Sequence, residues 1–394
     1  MSGDADAKST GLRGIHVADT KISYIDGING KLIYRGYEIG DLAENASYEE
    51  VAYLLLYGYL PNIDQMHDFS EKLVASRRLP VQIMSSLQQM PKTSSTMDIL
   101  QAVISLLAGF DKNLDDARDF NFTRSINIIA KIPTVIAAWA RISRNLSPVE
   151  PDDTLSHASN FLYMLNGVKS KVEISKIFDT CLVLHAEHSF NASTFTARVV
   201  ASTRAHMYAS VSAAVGALSG ELHGGANAQV MKDLIEISEP SKVREWVKVQ
   251  LDQNKRIMGM GHAVYKTTDP RAVILKNLAK KLAQVTGQSK WYEITELMEE
   301  ATKKEFKLRK GRDIYPNVDL FSPSIYYVIG INQELFTPIF AMARIAGWAA
   351  NIIEEKFPDS PAKPMLYRPL ADYIGNYCGP IGCKYVPISQ RTGQ

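Results

Sequence analysis

The chain has 394 residues, of which 46% are hydrophobic and 22% are charged, a composition ordinary for a globular protein with a sizeable core. Acidic and basic residues nearly cancel at a net charge of +2, which gives no reason to expect nucleic acid or an anionic membrane as the main partner. Residues 1–10 contain acids and no apolar core, so we expect a disordered lead rather than a targeting peptide. The longest apolar runs fall short of the roughly 20 residues that span a bilayer, so no transmembrane helix is expected.

The first predicted element is a small β-hairpin. KISYI and KLIYR surround DGING, in which Asn29 and Gly30 suit the positive φ angles of a tight turn. Almost everything after the hairpin has helical periodicity. Residues 49–58 end in a glycine suited to the position just past a helix, with Pro61 beyond it. Asp98 is a candidate cap for the apolar helix that follows.

A long apolar segment at 123–145 contains Pro133. Because proline lacks a backbone donor and clashes with the preceding turn, we expect a buried helix that is kinked or broken there. After Asn227 the helical segments become more charged, and apolar content rises again after Tyr315. We therefore predict an all-α fold, apart from the hairpin, in three sections: a large helical domain at 1–223, a smaller one at 224–329, and a return to the large domain at 330–394.

Three cysteines are too few for a disulfide scaffold, so we expect a reducing compartment and a cytoplasmic location. Cys378 and Cys383 form an isolated pair without the further ligands that a zinc site needs. We expect two free thiols there, with a local disulfide as the alternative.

Histidines concentrate in three short motifs: HAEHSFNAST (185–194), ELHGGAN (221–227) and GMGHAVY (259–265). The glycines beside His223 and His262 let backbone approach a ligand closely, whereas tight turns alone would explain the glycines but not the histidines. His185 and His188 are three residues apart, as metal ligands on a helix often are, but the pattern His-Glu-x-x-His is absent. The motifs favour histidines that act on a substrate and indicate no metal site.

One carboxylate and three arginines complete the candidate groups. Asp319 lies among apolar residues in YPNVDLFSPS, where desolvation would raise its basicity for removing a weakly acidic C–H proton. From the local pattern alone, the favoured interpretation is a helix N-cap. Arg271, Arg344 and Arg368 either form structural ion pairs or bind a di- or tricarboxylate, whose geometry matches the guanidinium group.

Taken together and in order, these motifs resemble the citrate synthase family over nearly the whole chain. The matching stretches are ISYIDGINGKLIYRGYEIGDLAENASYEEVAYLLLYGYLP, LHAEHSFNASTF, ELHGGAN, RIMGMGHAVYKTTDPRA, YPNVDLFS, LFTPIFAMARIAGW, YRPLADYIG and KYVPISQR. The resemblance implies a mostly helical homodimer whose active site lies between a large and a small domain. It further implies that oxaloacetate binds first, that the small domain closes, and that acetyl-CoA then binds without any metal or organic cofactor.

The resemblance also implies roles for individual residues. Asp319 would remove a methyl proton from acetyl-CoA, His223 would hydrogen-bond the thioester oxygen, and His262 would polarise the oxaloacetate carbonyl. Hydrolysis of citryl-CoA would then give citrate and CoA. The residues that match oxaloacetate or citrate ligands are His188, Arg271, Arg344 and Arg368, the last supplied by the partner subunit. The residues whose backbone matches the CoA-contacting loop are Arg256, Ile257, Met258, Gly259 and Met260.

Three departures from the family pattern concern specificity and CoA contacts. Ala263 stands where many bacterial and archaeal relatives have arginine, residues 320–323 read LFSP in place of Phe-Tyr-Ser-Gly, and RPLAD replaces Arg-Pro-Arg. The change after Asp319 is expected to alter the wall beside the base.

Three alternatives stay open. A 2-methylcitrate synthase would use propionyl-CoA with the same residues, and one extra methylene is worth only about 1–3 kcal/mol in a pocket. Acetyl-CoA is the favoured substrate. The second alternative is a non-catalytic helical scaffold, and the third is a zinc hydrolase built on HAEH. If the protein is a synthase of this family, His185 is interpreted as a structural residue.

Overall fold

The computed structural model describes residues 11–12, 14–112, 115–358, 366–375 and 382–391. These residues form one small antiparallel sheet near the N-terminus and sixteen α-helices, so the predicted all-α class is confirmed. The strands, in spatial order, are β1 (Ser23–Asp26), β2 (Lys31–Tyr34) and β3 (Tyr37–Glu38).

The helices fall into two runs along the chain. Those before the ELHGGAN motif are α1 (Ile39–Asn45), α2 (Tyr48–Tyr57), α3 (Ile63–Ser76), α4 (Val81–Gln89), α5 (Thr96–Leu107), α6 (Arg118–Ile142), α7 (His157–Asn166), α8 (Val172–His185), α9 (Ala192–Ser202) and α10 (Met207–Leu218). Those after it are α11 (Ala226–Ile237), α12 (Val243–Asp252), α13 (Pro270–Thr286), α14 (Lys290–Lys310), α15 (Ser322–Val328) and α16 (Phe336–Lys356). Short 3-10 segments lie at Ala108–Phe110, Pro240–Lys242, Gln333–Leu335 and Ile388–Gln390.

The hairpin forms as predicted, but its turn differs from the expected one. Strands β1 and β2 are joined by residues 27–30, and of these only Gly30 has a positive φ, +67°. The carboxylate of Asp26 accepts hydrogen bonds from the backbone N–H groups of Ile28 at 3.0 Å and Asn29 at 2.9 Å. These bonds hold Asn29 out of the left-handed region, so the predicted two-residue turn is wrong. A third short strand, β3, extends the ribbon beyond the predicted hairpin.

Helix ends follow the predicted signals in one case and depart from them in another. Helix α2 ends at Gly58, whose φ of 91° is the left-handed conformation predicted for it. Helix α5 begins at Thr96, two residues before Asp98, with Ser95 as its N-cap accepting from the N–H groups of Met97 and Asp98. The prediction of Asp98 as the cap is therefore wrong, because a better-placed hydroxyl stands one turn earlier.

Helix α6 runs without interruption through Pro133, so of the two expected outcomes, a kink or a break, the break does not occur. The proline costs one backbone hydrogen bond. The helix is buried on most of its surface and packs against α3, α5, α7 and α16, and this burial offsets the loss.

Helix α16 lies at the centre of the large core, in contact with α2, α5, α6, α8, α9, α10 and α11. By length and composition, two segments are apolar enough to cross a membrane, Arg118–Ile142 and Gln333–Lys356, contrary to the expectation that none would be. Their apolar windows are 83% and 94% buried inside the protein, as in the core helices of globular proteins.

Helices α11 to α15 pack chiefly against one another, and α14 touches the other four. They contact the rest of the protein through α1, α8 and α16. This is the region predicted as the smaller domain; the boundaries at 223/224 and 329/330 stay predictions.

The described C-terminal residues are mostly extended. Cys383 is disulfide-bonded, so the preference for free thiols is wrong at this residue. Composition alone cannot give the oxidation state of two cysteines so close in sequence. Cys378 and the predicted disordered lead lie outside the described residues.

Candidate active site

A cleft of about 640 Å³ brings together the three residues predicted to do chemistry, His223, His262 and Asp319. Its walls come from the loop before α11, the segment after α12, the end of α14 and the loop before α15. The five residues predicted to contact CoA, Arg256 to Met260, also line it. Thus residues more than ninety positions apart in sequence share one concave site.

The loop that carries His223 is held tightly between α10 and α16. A Cβ on Gly224 would overlap the carbonyl oxygen of Leu218, and the Gly224 carbonyl accepts a 2.9 Å hydrogen bond from Thr337 Oγ1. Only glycine allows so close an approach. Gly224, the first glycine of ELHGGAN, therefore allows the loop that carries His223 to lie directly against α10 and α16.

Hydrogen bonds to Ser193 determine the tautomer of His223. The Ser193 backbone N–H donates to His223 Nε2 at 3.2 Å, and Ser193 Oγ lies 2.8 Å from the same atom. Because a backbone N–H can only donate, Nε2 accepts and the ring proton lies on Nδ1. Burial, reinforced by Arg344, lowers the pKa of His223 to about 4, so the ring is neutral at pH 7. Trp348 Nε1 donates to Ser193 Oγ at 3.2 Å and steadies this contact.

His262 has the opposite tautomer, fixed by its own loop. The backbone N–H groups of Val264 and Tyr265 donate to His262 Nδ1 at 2.9 and 3.2 Å. The proton of the neutral ring therefore lies on Nε2. Burial, followed by the charge of Arg271, lowers the pKa of His262 to about 4. The two imidazoles are thus neutral hydrogen-bond donors whose orientation is fixed by backbone amides.

Asp319 lies in a turn that is bonded to the glycine loop. Its N–H donates to Asn317 Oδ1 at 2.9 Å, and Asn317 Nδ2 donates to the Gly261 carbonyl at 2.7 Å. Helix α15 begins at Ser322 with Phe321 as its N-cap, so the interpretation of Asp319 as the cap is wrong. Burial raises the pKa of Asp319 to about 6, with Arg271 and Arg344 opposing the rise and Asp269 adding to it. A carboxylate so placed is ionised at pH 7 yet more basic than usual.

Three of the four predicted oxaloacetate ligands, His188, Arg271 and Arg344, lie close to one another behind the lining of the cleft. The His188 ring centroid lies 5.4 Å from that of His262, and its Nε2 lies 3.3 Å from Tyr265 Oη. Arg271 is fully buried and forms a forked pair with Asp269, at 3.0 Å from Nε and 2.7 Å from Nη2. After burial itself, Arg271, His262 and Arg344 lower the pKa of His188. The cluster is desolvated and contains two guanidinium groups, which match the geometry of carboxylates, although Asp269 offsets the charge of Arg271.

Arg344 is buried on α16, at the back of the cluster. Its Nε donates to the His185 carbonyl at 2.7 Å, and its guanidinium lies 4.7 Å from the Phe340 ring centroid. Burial lowers the pKa of Arg344 to about 10, and Glu187 opposes the change most strongly. Arg344 makes one hydrogen bond, to the His185 carbonyl, and its main counter-charge is Glu187. Its other N–H groups can therefore donate to an anionic ligand.

Arg368 is not brought to the cleft within this chain. It is exposed in the extended segment 366–375 and is absent from the cleft lining. Its predicted role therefore depends on a second subunit.

The first two residues after Asp319 pack behind the glycine loop. Leu320 and Phe321 are fully buried and do not line the cleft. Instead, Leu320 packs beneath Gly259, whose Cβ would lie 2.8 Å from Leu320 Cα. Both side chains are buried, and the effect of this departure on the wall beside the base stays a prediction.

Sequence reasoning missed several lining residues. The far part of the cleft carries the basic side chains of Lys255, Arg309 and Lys310 beside Arg256, together with Phe306. The sequence signal for them was the basic run near the end of α14. Such charges at a helix end usually face solvent and bind no ligand, so the run alone does not predict a site.

The HAEH motif does not form a metal site. His185 ends α8, and its Nδ1 hydrogen-bonds the Cys181 carbonyl at 2.7 Å, away from His188. Among the described residues, no three potential ligands cluster around a common point. A structural role for His185 agrees with these contacts.

The chain matches known proteins over nearly its whole length. A family profile described as "Citrate synthase, C-terminal domain" matches residues 11–370. The citrate synthase of Haloferax volcanii is 42% identical over 397 residues, covering 99% of this chain and 100% of that protein. The chain belongs to the citrate synthase family.

Other members of the citrate synthase family define the range of activities. A solved ternary complex of citrate synthase from Thermoplasma acidophilum with carboxymethyl coenzyme A and oxaloacetate has a TM-score of 0.89 and 33% identity, covering 97% of this chain and 99% of that one. The 2-methylcitrate synthase of Mycobacterium tuberculosis is 38% identical over 366 residues, covering 93% of this chain and 90% of that protein. This chain is an acyl-transferring enzyme of the family, as the sequence predicted.

Proposed function

We propose that this enzyme condenses acetyl-CoA with oxaloacetate and hydrolyses the resulting citryl-CoA to citrate and CoA. One observation carries the proposal: a buried carboxylate, Asp319, shares a cleft with two neutral imidazoles, His223 and His262, whose protons are on defined atoms. The ligands of the Thermoplasma acidophilum complex support the same substrate classes.

The first step removes a methyl proton from the thioester. Such a proton is far less acidic than a carboxylic acid, so the base needs simultaneous stabilisation of the developing oxyanion. Asp319, with its pKa raised to about 6, accepts the proton. The Nδ1–H of His223 donates to the thioester oxygen, and a neutral donor here adds no cation that would lower the basicity of Asp319.

The second step forms the carbon–carbon bond. The Nε2–H of His262 polarises the ketone of oxaloacetate, the enolate carbon attacks it, and the new alkoxide takes that proton. His188, Arg271 and Arg344 hold the carboxylates of oxaloacetate. Water then cleaves the thioester and releases CoA as the thiol. His262 Nε2 regains a proton from the water molecule that attacks the thioester, and the proton held by Asp319 passes to the departing CoA thiolate. These groups handle every charge that develops, so we propose that no metal or organic cofactor takes part.

CoA occupies the far part of the cleft in this proposal. The backbone of Arg256 to Met260 lines that part, and Lys255 and Lys310 supply positive charge for phosphates, whereas Arg309 is paired with Asp252 and Glu305. Gly259 and Gly261 have φ angles of 79° and 88°, which keep the loop close to the base.

We propose that the enzyme is a homodimer in which Arg368 completes the partner's site. The segment that carries Arg368 exposes Leu370 and Ile374 almost fully, at 98% and 96%, which suits contact with another copy. The cytoplasmic location predicted from the sequence is kept as part of the proposal.

Subunit mixing tests the origin of Arg368. Arg368→Ala and Asp319→Asn homodimers are each expected to be nearly inactive. After unfolding and refolding together at equal concentration, about a quarter of the wild-type activity should appear, because half the dimers are mixed and each has one intact site. If Arg368 served its own subunit, the mixture would stay inactive.

The pH dependence of kcat/KM is expected to follow the ionisation of Asp319. Asp319 works only when ionised and burial raises its pKa to about 6, so kcat/KM is expected to fall about tenfold per pH unit below that value. His223 and His262 stay neutral until about pH 4, so they do not limit activity there. Initial rates between roughly pH 5 and pH 8 measure this. A flat profile down to pH 5 would contradict the assignment.

A thiol-release assay tests the proposed function directly. Oxaloacetate is supplied with acetyl-CoA or with propionyl-CoA, and free CoA is followed with a chromogenic thiol reagent. We expect a larger kcat/KM with acetyl-CoA. A preference for propionyl-CoA would favour the second candidate, a 2-methylcitrate synthase, which the Mycobacterium tuberculosis relative supports. Absence of release with both would refute the proposal.

A further inference from the structure

We infer that the N-terminal hairpin is a positioning element for the oxaloacetate site, acting on the segments that carry His188 and His262. The inference rests on the proposed function, since it concerns how that site is held. No residue of the hairpin lines the cleft. Its effect is therefore exerted through the two loops that it contacts.

The tip of the hairpin lies against the segment between His262 and Arg271. The Lys266 N–H donates to the Gly27 carbonyl at 2.7 Å. A Cβ on Gly27 would lie 2.5 Å from the carbonyl oxygen of Val264, and one on Gly30 would lie 2.9 Å from Thr267 Cγ2. The backbones are thus in direct contact, with no space for a side chain at position 27.

Val264 links the hairpin contact to His262. Its N–H is one of the two donors that orient His262 Nδ1. The next residue, Tyr265, supplies the other donor and carries the hydroxyl that lies 3.3 Å from His188 Nε2. Displacing Val264 would therefore turn the His262 ring and shift its Nε2–H relative to the ketone.

The base of the hairpin holds the second loop. Ser23 Oγ donates to Glu187 Oε1 at 3.0 Å and accepts from the Ser189 N–H at 3.1 Å. Tyr34 Oη donates to the Glu187 carbonyl at 2.7 Å. These bonds hold the residues on both sides of His188. One short ribbon thereby sets the spacing between the proposed ligand His188 and the proposed catalytic residue His262.

Gly27→Ala tests the inference with a single methyl group. Gly27 is outside the left-handed region, so alanine suits its backbone and the obstacle is Val264 alone. We expect the KM for oxaloacetate to rise on the order of 10-fold to 100-fold at saturating acetyl-CoA, as for small displacements of binding groups. The KM for acetyl-CoA should stay within about twofold. Gly40→Ala is the matched control, because a Cβ there meets nothing within 4 Å.

A second variant keeps the test decisive if Gly27→Ala does not fold. Ser23→Ala removes the contacts to Glu187 and Ser189 without adding bulk, and it should raise the same KM by a smaller factor. Destabilisation alone would reduce the active fraction and the apparent kcat while leaving both KM values unchanged. Unchanged oxaloacetate KM in every folded variant would overturn the inference. If the unmodified enzyme released no CoA from acetyl-CoA and oxaloacetate, the proposed function would be refuted instead.

Discussion

Asp319→Asn is expected to lower kcat by roughly 10²- to 10⁴-fold, the usual contribution of a general base. The amide has nearly the same shape, so the hydrogen bond from the Asp319 N–H to Asn317 should survive. Since the side chain can no longer accept the methyl proton, the loss should appear in kcat with little change in either KM. Steady-state rates of thiol release, with circular dichroism to show an intact fold, measure it.

Asp233→Asn is the matched control for this variant. Burial also raises the pKa of Asp233 to about 6, with the Gln229 amide opposing the rise, but the residue lies on α11 away from the cleft lining. It should keep wild-type activity. Equal losses in the two variants would show that burying an amide, and not loss of the base, caused the effect.

His223→Gln is expected to lower kcat by about 10²- to 10³-fold, the typical cost of removing an oxyanion donor. Glutamine is similar in size but cannot place an N–H at the position of Nδ1 while accepting from Ser193 at the position of Nε2. The expected loss therefore lies in enol formation. Exchange of the methyl protons of acetyl-CoA with deuterated solvent measures that step, and it should slow in parallel with turnover.

His67→Gln is the control for this change, because His67 is exposed on α3 and remote from the cleft. Its kinetics should match those of the wild type. If His223→Gln slowed turnover but left proton exchange at the wild-type rate, the proposed role of His223 would be refuted.

The resemblance to the citrate synthase family, and not any single motif, predicted that His223, His262 and Asp319 share one site. Gly224 and Gly259 both lie so close to neighbouring backbone that no side chain fits. The order of the motifs along the chain indicated the family. The fold class followed from helical periodicity.

Other features depended on long-range contacts that no local pattern contains. The tautomer of His223 is set by Ser193, thirty residues earlier in the chain. Pro133 was expected to kink or break a buried helix, and α6 is buried and continues through it because its packing offsets the lost hydrogen bond. The cap of α5 was misplaced because Ser95 and Asp98 are both good N-cap residues and only the start of the helix distinguishes them. For Asp319, the local pattern favoured a cap over a base.

Helix α16 carries four side chains that hold different parts of the site. Thr337 bonds the His223 loop, Arg344 the His185 carbonyl, Trp348 the hydroxyl of Ser193, and Asn351 the carboxylate of Glu187. Their spacings of seven, four and three residues place them along one face of the helix. Deleting or inserting one residue would rotate everything beyond it by about 100°. The length of α16 is therefore tightly constrained, and engineered insertions belong in the loops.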